Sequence, residues 1–386
     1  MIRDGDPLNV VVFCPFFPPH VGGLEIHVYE VWRRMAARGS RVTVVTSADD
    51  AVPLAHFLDG ISVLRLPCWW LLGGTYPVPK PGITFLRAWR SLVRMPPEVV
   101  VTHTRFFVTS LLGLVLSRQS HASFIHVEHG TSHSVVASRV VRWLAAAYDH
   151  TVGSLVVRSA HTCVAVSRSA ADFCGHLGAK RAMVIPNGVE VIAPGPAAVL
   201  EARRQLITGD GILFCYVGRL VHGKGVHDLL HAFAKAKPSM LGSKLVIVGD
   251  GPGEPRLRAL SSGLGLDEDV VFAGGVPHHE AMRLLAAADV FVNPSYTEGL
   301  PTTVLEAAAL GRAILATDVG GTREIVTHGV SGYLIPADAV DELTRGMMVL
   351  GVDATLRETL GREARASLSA YDWETVSESW EGLLGQ

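Results

Sequence analysis

One order of local signals occurs twice in this chain. An apolar run, Leu8–Cys14, enters a loop holding Pro15, Pro18, Pro19, Gly22 and Gly23. A helical pattern with Ile26, Val31 and Met35 follows, Gly39 ends it, and a second apolar run spans Arg41–Thr46. Strand, glycine loop, helix, strand is the opening of a doubly wound parallel sheet. The order restarts beyond a stretch rich in glycine and proline, Asn187–Pro196: strand Ile212–Val217, loop Gly218–Gly225, helix Val226–Ala234. Strands at Lys244–Val248, Val270–Phe272, Val290–Asn293 and Arg312–Thr317 then alternate with helices. A chain of 386 residues also exceeds what one core usually supports. The spacing predicts an α/β protein of two such domains, residues 1–190 and 191–369, with a ligand in the cleft between them. A tail, 370–386, is expected to form a helix on the first domain, with Asp372 as N-cap and Trp373, Val376 and Trp380 on one face.

Apolar residues make up 48% and charged residues 18% of the chain, which suits a soluble enzyme with buried sheets. Five cysteines form no C-x-x-C pair, which points to a reducing cytoplasm and buried thiols. No signal-peptide pattern opens the sequence, and the longest apolar stretch, Phe106–Leu116, is too short to cross a bilayer. Residues 1–190 carry 18 Lys/Arg against 12 Asp/Glu, a net +6; the remainder carries 16 against 24, a net −8. The first domain is therefore expected to meet something anionic. Basic residues are dispersed and no recognition motif occurs, so nucleic acid is not an expected partner. Further apolar runs end at polar residues: Val99–Thr102 before His103, Ser123–Val127 before Glu128-His129-Gly130, and Cys163–Val166 before Ser167. Ligands of open parallel sheets sit beyond strand carboxyl ends, which makes His103 and Arg105 candidate site residues.

Two constellations carry chemistry. In Gly218-Arg219-Leu220-Val221-His222-Gly223-Lys224-Gly225, a loop opens a helix whose start attracts anions. Arg219 offers a bidentate fork and Lys224 a point charge, both suited to a diphosphate. In Glu298-Gly299-Leu300-Pro301-Thr302-Thr303-Val304-Leu305-Glu306, Glu298 falls in a loop and Glu306 on the helix starting near Thr302. Amides around Leu300–Thr303 would form an anion nest. Each has a plainer reading, an ordinary basic loop for the first and a solvated helix face for the second.

With these pieces the chain resembles the retaining glycosyltransferases of family 4, of GT-B fold with two Rossmann-like domains. The resemblance rests on Gly22-Gly23, Glu128-His129-Gly130, Ile185-Pro186-Asn187-Gly188-Val189, Gly218-Arg219-Leu220, Val248-Gly249-Asp250-Gly251-Pro252, the two glutamates, and Asp318-Val319-Gly320-Gly321. It implies that Arg219 and Lys224 hold the donor diphosphate, and that Glu306 takes the nucleotide ribose hydroxyls. It also implies that Glu298 and the backbone of Gly299, Leu300, Pro301, Thr302 and Thr303 hold sugar and phosphate. His129 resembles the family's histidine near the anomeric centre, and Gly22 and Gly23 let the first helix approach donor phosphates or acceptor. The implied reaction is hexosyl or N-acetylhexosaminyl transfer from a UDP- or GDP-sugar, with retention and with neither cofactor nor metal. Two departures stand out: His222-Gly223 where the family usually has Pro-Glu, and Thr322-Arg323-Glu324 where an apolar residue and proline are common.

Two further signals have competing readings. His126, Glu128, His129 and His133 include the i, i+4 spacing of a zinc helix, but strand and loop geometry argues that they do not converge. Residues 85–95 place Leu86, Trp89, Leu92 and Val93 with Arg87, Arg90 and Arg94 at helical spacing, after Trp69, Trp70, Leu71 and Leu72. This is either a helix lying on an anionic membrane, with the enzyme peripheral on the inner face of the plasma membrane, or a helix covering the first sheet. The acceptor is accordingly a lipid-linked glycan or cell-envelope precursor, or a soluble small molecule. A nicotinamide dehydrogenase lacks its G-x-G-x-x-G turn here. A GT-B UDP-sugar 2-epimerase stays as the alternative enzyme class.

Overall fold

The computed structural model describes residues 7–20, 22–48, 52–71, 74–133 and 139–385; Leu72 lies outside them. Of the described residues, those up to 133 with 139–187 and 373–385 form one compact unit, and residues 188–372 a second.

The first unit runs β1 (Asn9–Phe13), α1 (Gly23–Ala37), β2 (Arg41–Ser47), β3 (Ala55–Leu58), β4 (Ile61–Leu66), β5 (Cys68–Leu71), β6 (Tyr76–Pro79) and α2 (Ile83–Arg94). It continues with β7 (Val99–His103), α3 (Val108–Ser120), β8 (Ser123–Glu128), α4 (Arg139–Tyr148), a π-helical turn (Asp149–Gly153), α5 (Ser154–Ser159), β9 (Thr162–Ala165), α6 (Arg168–His176) and β10 (Ala182–Val184). The sheet order is β10-β9-β8-β7-β1-β2-β4-β3, parallel except where β3 meets β4. The chain leaves β1 toward one edge and returns to β7 on its other side, so the switch point lies between β1 and β7. Both faces are covered, as parallel sheets require. Val10 and Val12 pack with α1 residues Val28, Val31 and Trp32. Val11 and Phe13 point the other way, toward Leu114 of α3 and Leu92 of α2. The C-terminal helix, Trp373–Leu384, joins the first of these cores through Trp373, Val376, Trp380 and Leu383. Trp380 lies 5.4 Å from Trp32, and Arg38 pairs with Glu374 and Glu381.

Helix α2 covers the core of the first unit, one of the two readings of its sequence. Phe85, Ala88, Trp89 and Leu92 face the core beneath, while Arg87, Arg90 and Arg94 stand exposed beside Ile83, Leu86 and Val93.

The second unit runs α7 (Pro196–Leu206), β11 (Leu213–Val217), a 3-10 turn (His222–Lys224), α8 (Val226–Ala236), β12 (Lys244–Val248), α9 (Glu254–Gly263), β13 (Val270–Gly274) and α10 (His278–Ala287). Then come β14 (Val290–Asn293), α11 (Thr302–Ala309), β15 (Ala313–Thr317), α12 (Thr322–Ile325), β16 (Tyr333–Ile335), α13 (Val340–Val352) and α14 (Ala354–Ala366). Its all-parallel sheet has the order β13-β12-β11-β14-β15-β16, which puts a second switch point between β11 and β14. Pro196 starts α7 at a position where its missing N–H costs nothing. Asp353 caps α14 through the Leu356 N–H at 2.8 Å.

Candidate active site

In the second unit, loops beyond neighbouring strands β12, β11, β14 and β15 gather the candidates. They touch backbone to backbone, and glycine makes that possible. Gly225 has φ +65, and a Cβ there would stand 2.0 Å from the Pro294 carbonyl oxygen. Gly249 has φ +130, and its Cβ would stand 2.0 Å from the Gly218 oxygen. Hydrogen bonds lock the same seams: Leu220 N–H to Asp250 O at 2.7 Å, Tyr296 N–H to Gly223 O at 2.9 Å, and Gly321 N–H to Gly299 O at 2.9 Å. The motif Val248–Pro252 is thus the floor of the Gly218–Gly225 loop.

On this frame Lys224 Nζ meets Glu298 Oε1 at 2.7 Å. The Ser295 hydroxyl lies 2.6 Å from the same oxygen, and the Thr317 hydroxyl donates to the Ser295 carbonyl at 2.5 Å. Arg219 is exposed, and no hydrogen bond or ion pair engages its guanidinium among the described residues. Its backbone is fixed instead, since the Tyr216 hydroxyl donates to the Arg219 oxygen at 3.1 Å. The result is one committed cation and one free cation at a switch point, where parallel sheets bind ligands. Helix α11 begins at Thr302 with no side-chain cap. Its first amides have no intrahelical partner, so they are open to an anion. Glu306 is nearly buried on that helix, and His278 Nε2 meets its Oε1 at 2.8 Å. That hydrogen bond raises the His278 pKa above its ordinary value against the opposing effect of burial. Arg323, an addition to the usual pattern, forks onto Asp318 at 2.8 and 2.9 Å and is exposed.

In the first unit the candidates become a buried polar network. His103, at the end of β7, is fully buried, with Nδ1 3.1 Å from His129 Nε2. His27 of α1, also fully buried, lies 5.1 Å from the His129 ring and 5.7 Å from the His103 ring. Burial lowers the His129 pKa to about 4 and drives those of His27 and His103 well below 6.5. All three are neutral imidazoles at pH 7. Arg105, the other candidate beyond β7, is 5% exposed and engaged in contacts within the protein. It reaches Glu128 at 2.9 Å, both Asp149 oxygens at 2.9 Å, and the Ser132 carbonyl at 3.1 Å. Burial pushes the Glu128 pKa up, but Arg105 and His126 reverse this and hold it far below the usual carboxylate range. Gly22 caps α1 in extended conformation. The Glu25 carboxylate folds over it, so that an added Cβ would meet Glu25 Oε2 at 2.4 Å. The start of α1, at Gly22 and Gly23, therefore already carries a negative charge, which disfavours a second anion there.

The run His126–His133 splits three ways. His126 meets Glu128 at 3.5 Å, His129 meets His103, and His133 meets Asp149 at 2.7 Å.

Residues 21–192 match the model of Glycosyltransferase Family 4, and residues 200–367 that of Glycosyl transferases group 1. A D-inositol 3-phosphate glycosyltransferase of Acidothermus cellulolyticus is 30% identical, over 94% of this chain and 85% of its own. This chain belongs to glycosyltransferase family 4. The family 4 glycosyltransferase superposes on the sucrose-phosphate synthase of Thermosynechococcus elongatus with a TM-score of 0.83, at 23% identity and covering 98% of each chain. Anabaena HepE in complex with UDP-glucose gives 0.78 at 20% identity, covering 98% of this chain and 99% of that one. The fold is GT-B, as expected.

Sequence reasoning passed over four residues of this glycosyltransferase. His27 looks like one polar residue on an apolar helix face, and His278 like a helix start. Ser295 and Thr317, which brace Glu298, are short hydroxyls indistinguishable from loop residues. Only their neighbours in space mark them.

Proposed function

We propose that this glycosyltransferase moves a sugar from a nucleoside-diphosphate sugar to a hydroxyl acceptor with retention of configuration. The observation that carries the reading is the switch point of the second unit, where exposed Arg219, the Lys224–Glu298 pair and the uncapped start of α11 share one sheet end. Arg219 and Lys224 take the diphosphate, and Glu306, with its proton-sharing partner His278, takes the ribose diol. Glu298 orients Lys224 and a sugar hydroxyl. In the step, the bond from the anomeric carbon to the phosphate oxygen breaks and the acceptor oxygen bonds that carbon on the same face. The acceptor proton passes to the departing phosphate oxygen. Arg219, Lys224 and the helix amides oppose the charge growing on the diphosphate, the part played elsewhere by a divalent ion. Neutral His129, held by His103, serves as a hydrogen-bonding group for the reacting sugar.

A thermal-shift panel of UDP, GDP, ADP and dTDP tests the donor site. The matching nucleotide at a hundredfold its dissociation constant adds about 2.7 kcal/mol, and no shift with any of the four refutes the reading. Glu306→Gln weakens binding of the bare nucleotide, whereas Glu298→Gln leaves it near wild type and depresses turnover. The anomeric coupling of the product decides retention. Release of an epimerised sugar without acceptor would instead identify an epimerase.

For the acceptor we infer an anionic lipid carrier. Trp69, Trp70 and Leu71 of β5 are exposed, and so are Ile83, Leu86 and Val93 of α2 beside its three arginines. No helix among the described residues is long and apolar enough to span a membrane, so contact would be at the surface. Each basic residue near anionic lipid adds about 1 kcal/mol. Replacing Arg87, Arg90 and Arg94 by glutamine should release the protein from anionic vesicles in sedimentation. Wild type that binds neither anionic nor neutral vesicles points to a soluble acceptor.

A further inference from the structure

We propose that His133, His150 and His176 of the first unit bind a divalent transition-metal ion of the zinc class. One ring nitrogen from each lies within 4.8 Å of the other two. The rings come from three segments: the loop after β8, the π-helical turn after α4 and the last residue of α6. Ligand nitrogens about 2.1 Å from a tetrahedral zinc stand roughly 3.4 Å apart. His150 and His176 are exposed and their rings can make that adjustment.

The second observation is what lies behind the trio. His133 Nδ1 meets Asp149 Oδ2 at 2.7 Å. The carboxylate is fully buried, and both its oxygens are also held by Arg105 at 2.9 Å. A proton committed to Nδ1 leaves Nε2 with its lone pair outward. A buried carboxylate behind a histidine is how proteins orient metal ligands. No hydrogen bond or ion pair occupies His150 or His176 among the described residues, and Phe173 stacks on His176 with centroids 6.0 Å apart. His176 also ends a nine-residue helix, whose carboxyl end favours a cation. Three histidines would leave a fourth position to water.

The trio His27, His103 and His129 has similar spacing. There, however, His103 and His129 already bond each other at 3.1 Å, and the trio belongs to the proposed active site.

The test uses the full chain stripped with a chelator. Calorimetry with Zn²⁺ should show one ion per chain, and Co²⁺ should give the strong visible bands of a tetrahedral site. His150→Gln and His176→Gln each lower affinity at least about 10-fold, and Asp149→Asn lowers it about 10- to 100-fold, as loss of such a carboxylate typically does. Because both glutamine substitutions are at exposed rings, the nucleotide thermal shift should be unchanged in them. The proposal is overturned if wild type binds no stoichiometric ion, or if the His150→Gln/His176→Gln double variant binds as wild type does. It is likewise overturned if His27→Gln alone abolishes binding.

Discussion

Each unit has one switch point, and the two are furnished in opposite ways. Between β11 and β14 the site is made of backbone: glycine loops pressed together, open amides, and a few charged side chains at the edge. Between β1 and β7 the ground is held by buried polar side chains, with His27, His103 and His129 neutral and Arg105 clamped between Glu128 and Asp149. Backbone does not titrate, and glycines cannot be changed without moving a neighbour. A buried network tolerates change of shape but not change of charge. The second switch point should therefore be sensitive to sterics, and the first to protons and to unpaired ions.

The largest expected effect is in the first unit. Arg105→Ala strands two buried carboxylates, which typically costs about 3–5 kcal/mol. All seven tryptophans belong to this unit, so urea unfolding followed by their fluorescence measures the loss directly. A cost under about 1 kcal/mol, the value of a surface pair, would show that the first switch point is no more sensitive to an unpaired ion than the second.

Next comes Lys224→Ala in the second unit, where stability should hardly move while turnover falls about 100- to 1000-fold. Equal losses of stability and turnover would mean that Lys224 is scaffold, like Arg105.

Acidification should separate the units in sign. The unfolded chain binds protons at histidines below about 6.5, but folded His129 resists down to about 4, and His27 and His103 stay well below 6.5. First-unit stability is therefore lost as pH falls from 6.5, by about 1.4 kcal/mol per pH unit for each such group. His278 runs the other way: its raised pKa stabilises the second unit at low pH, and that contribution fades as pH rises through it. Tryptophan-monitored stability between pH 7 and pH 5 checks the first; a flat profile would show that water reaches the histidines.

The smallest contrast lies between two glycines. Gly225→Ala forces a Cβ against a carbonyl at positive φ and should cost more than about 1 kcal/mol. Gly22→Ala, in extended backbone, meets only the movable end of Glu25. It should fall within about 0.5 kcal/mol of wild type. Paired thermal melts decide it.

By itself the sequence determined the two parallel sheets, their strand ends and the family, because alternating apolar runs and glycine turns are local signals. Arg219, Lys224, Glu298 and Glu306 stood out as candidates for a related reason: each lies in the loop or on the helix that directly follows a strand. What only the tertiary structure decided is which charges are already spent. Arg105 looked available until Glu128 and Asp149, 23 and 44 residues on, were seen to hold it. Lys224 is paired across 74 residues, while Arg219, five positions earlier, is left open. Likewise, His133 and His150 gain His176 only through the packing of α6 against the sheet. A side chain's type is fixed locally, but its partner is chosen by packing, and the partner sets charge, exposure and use.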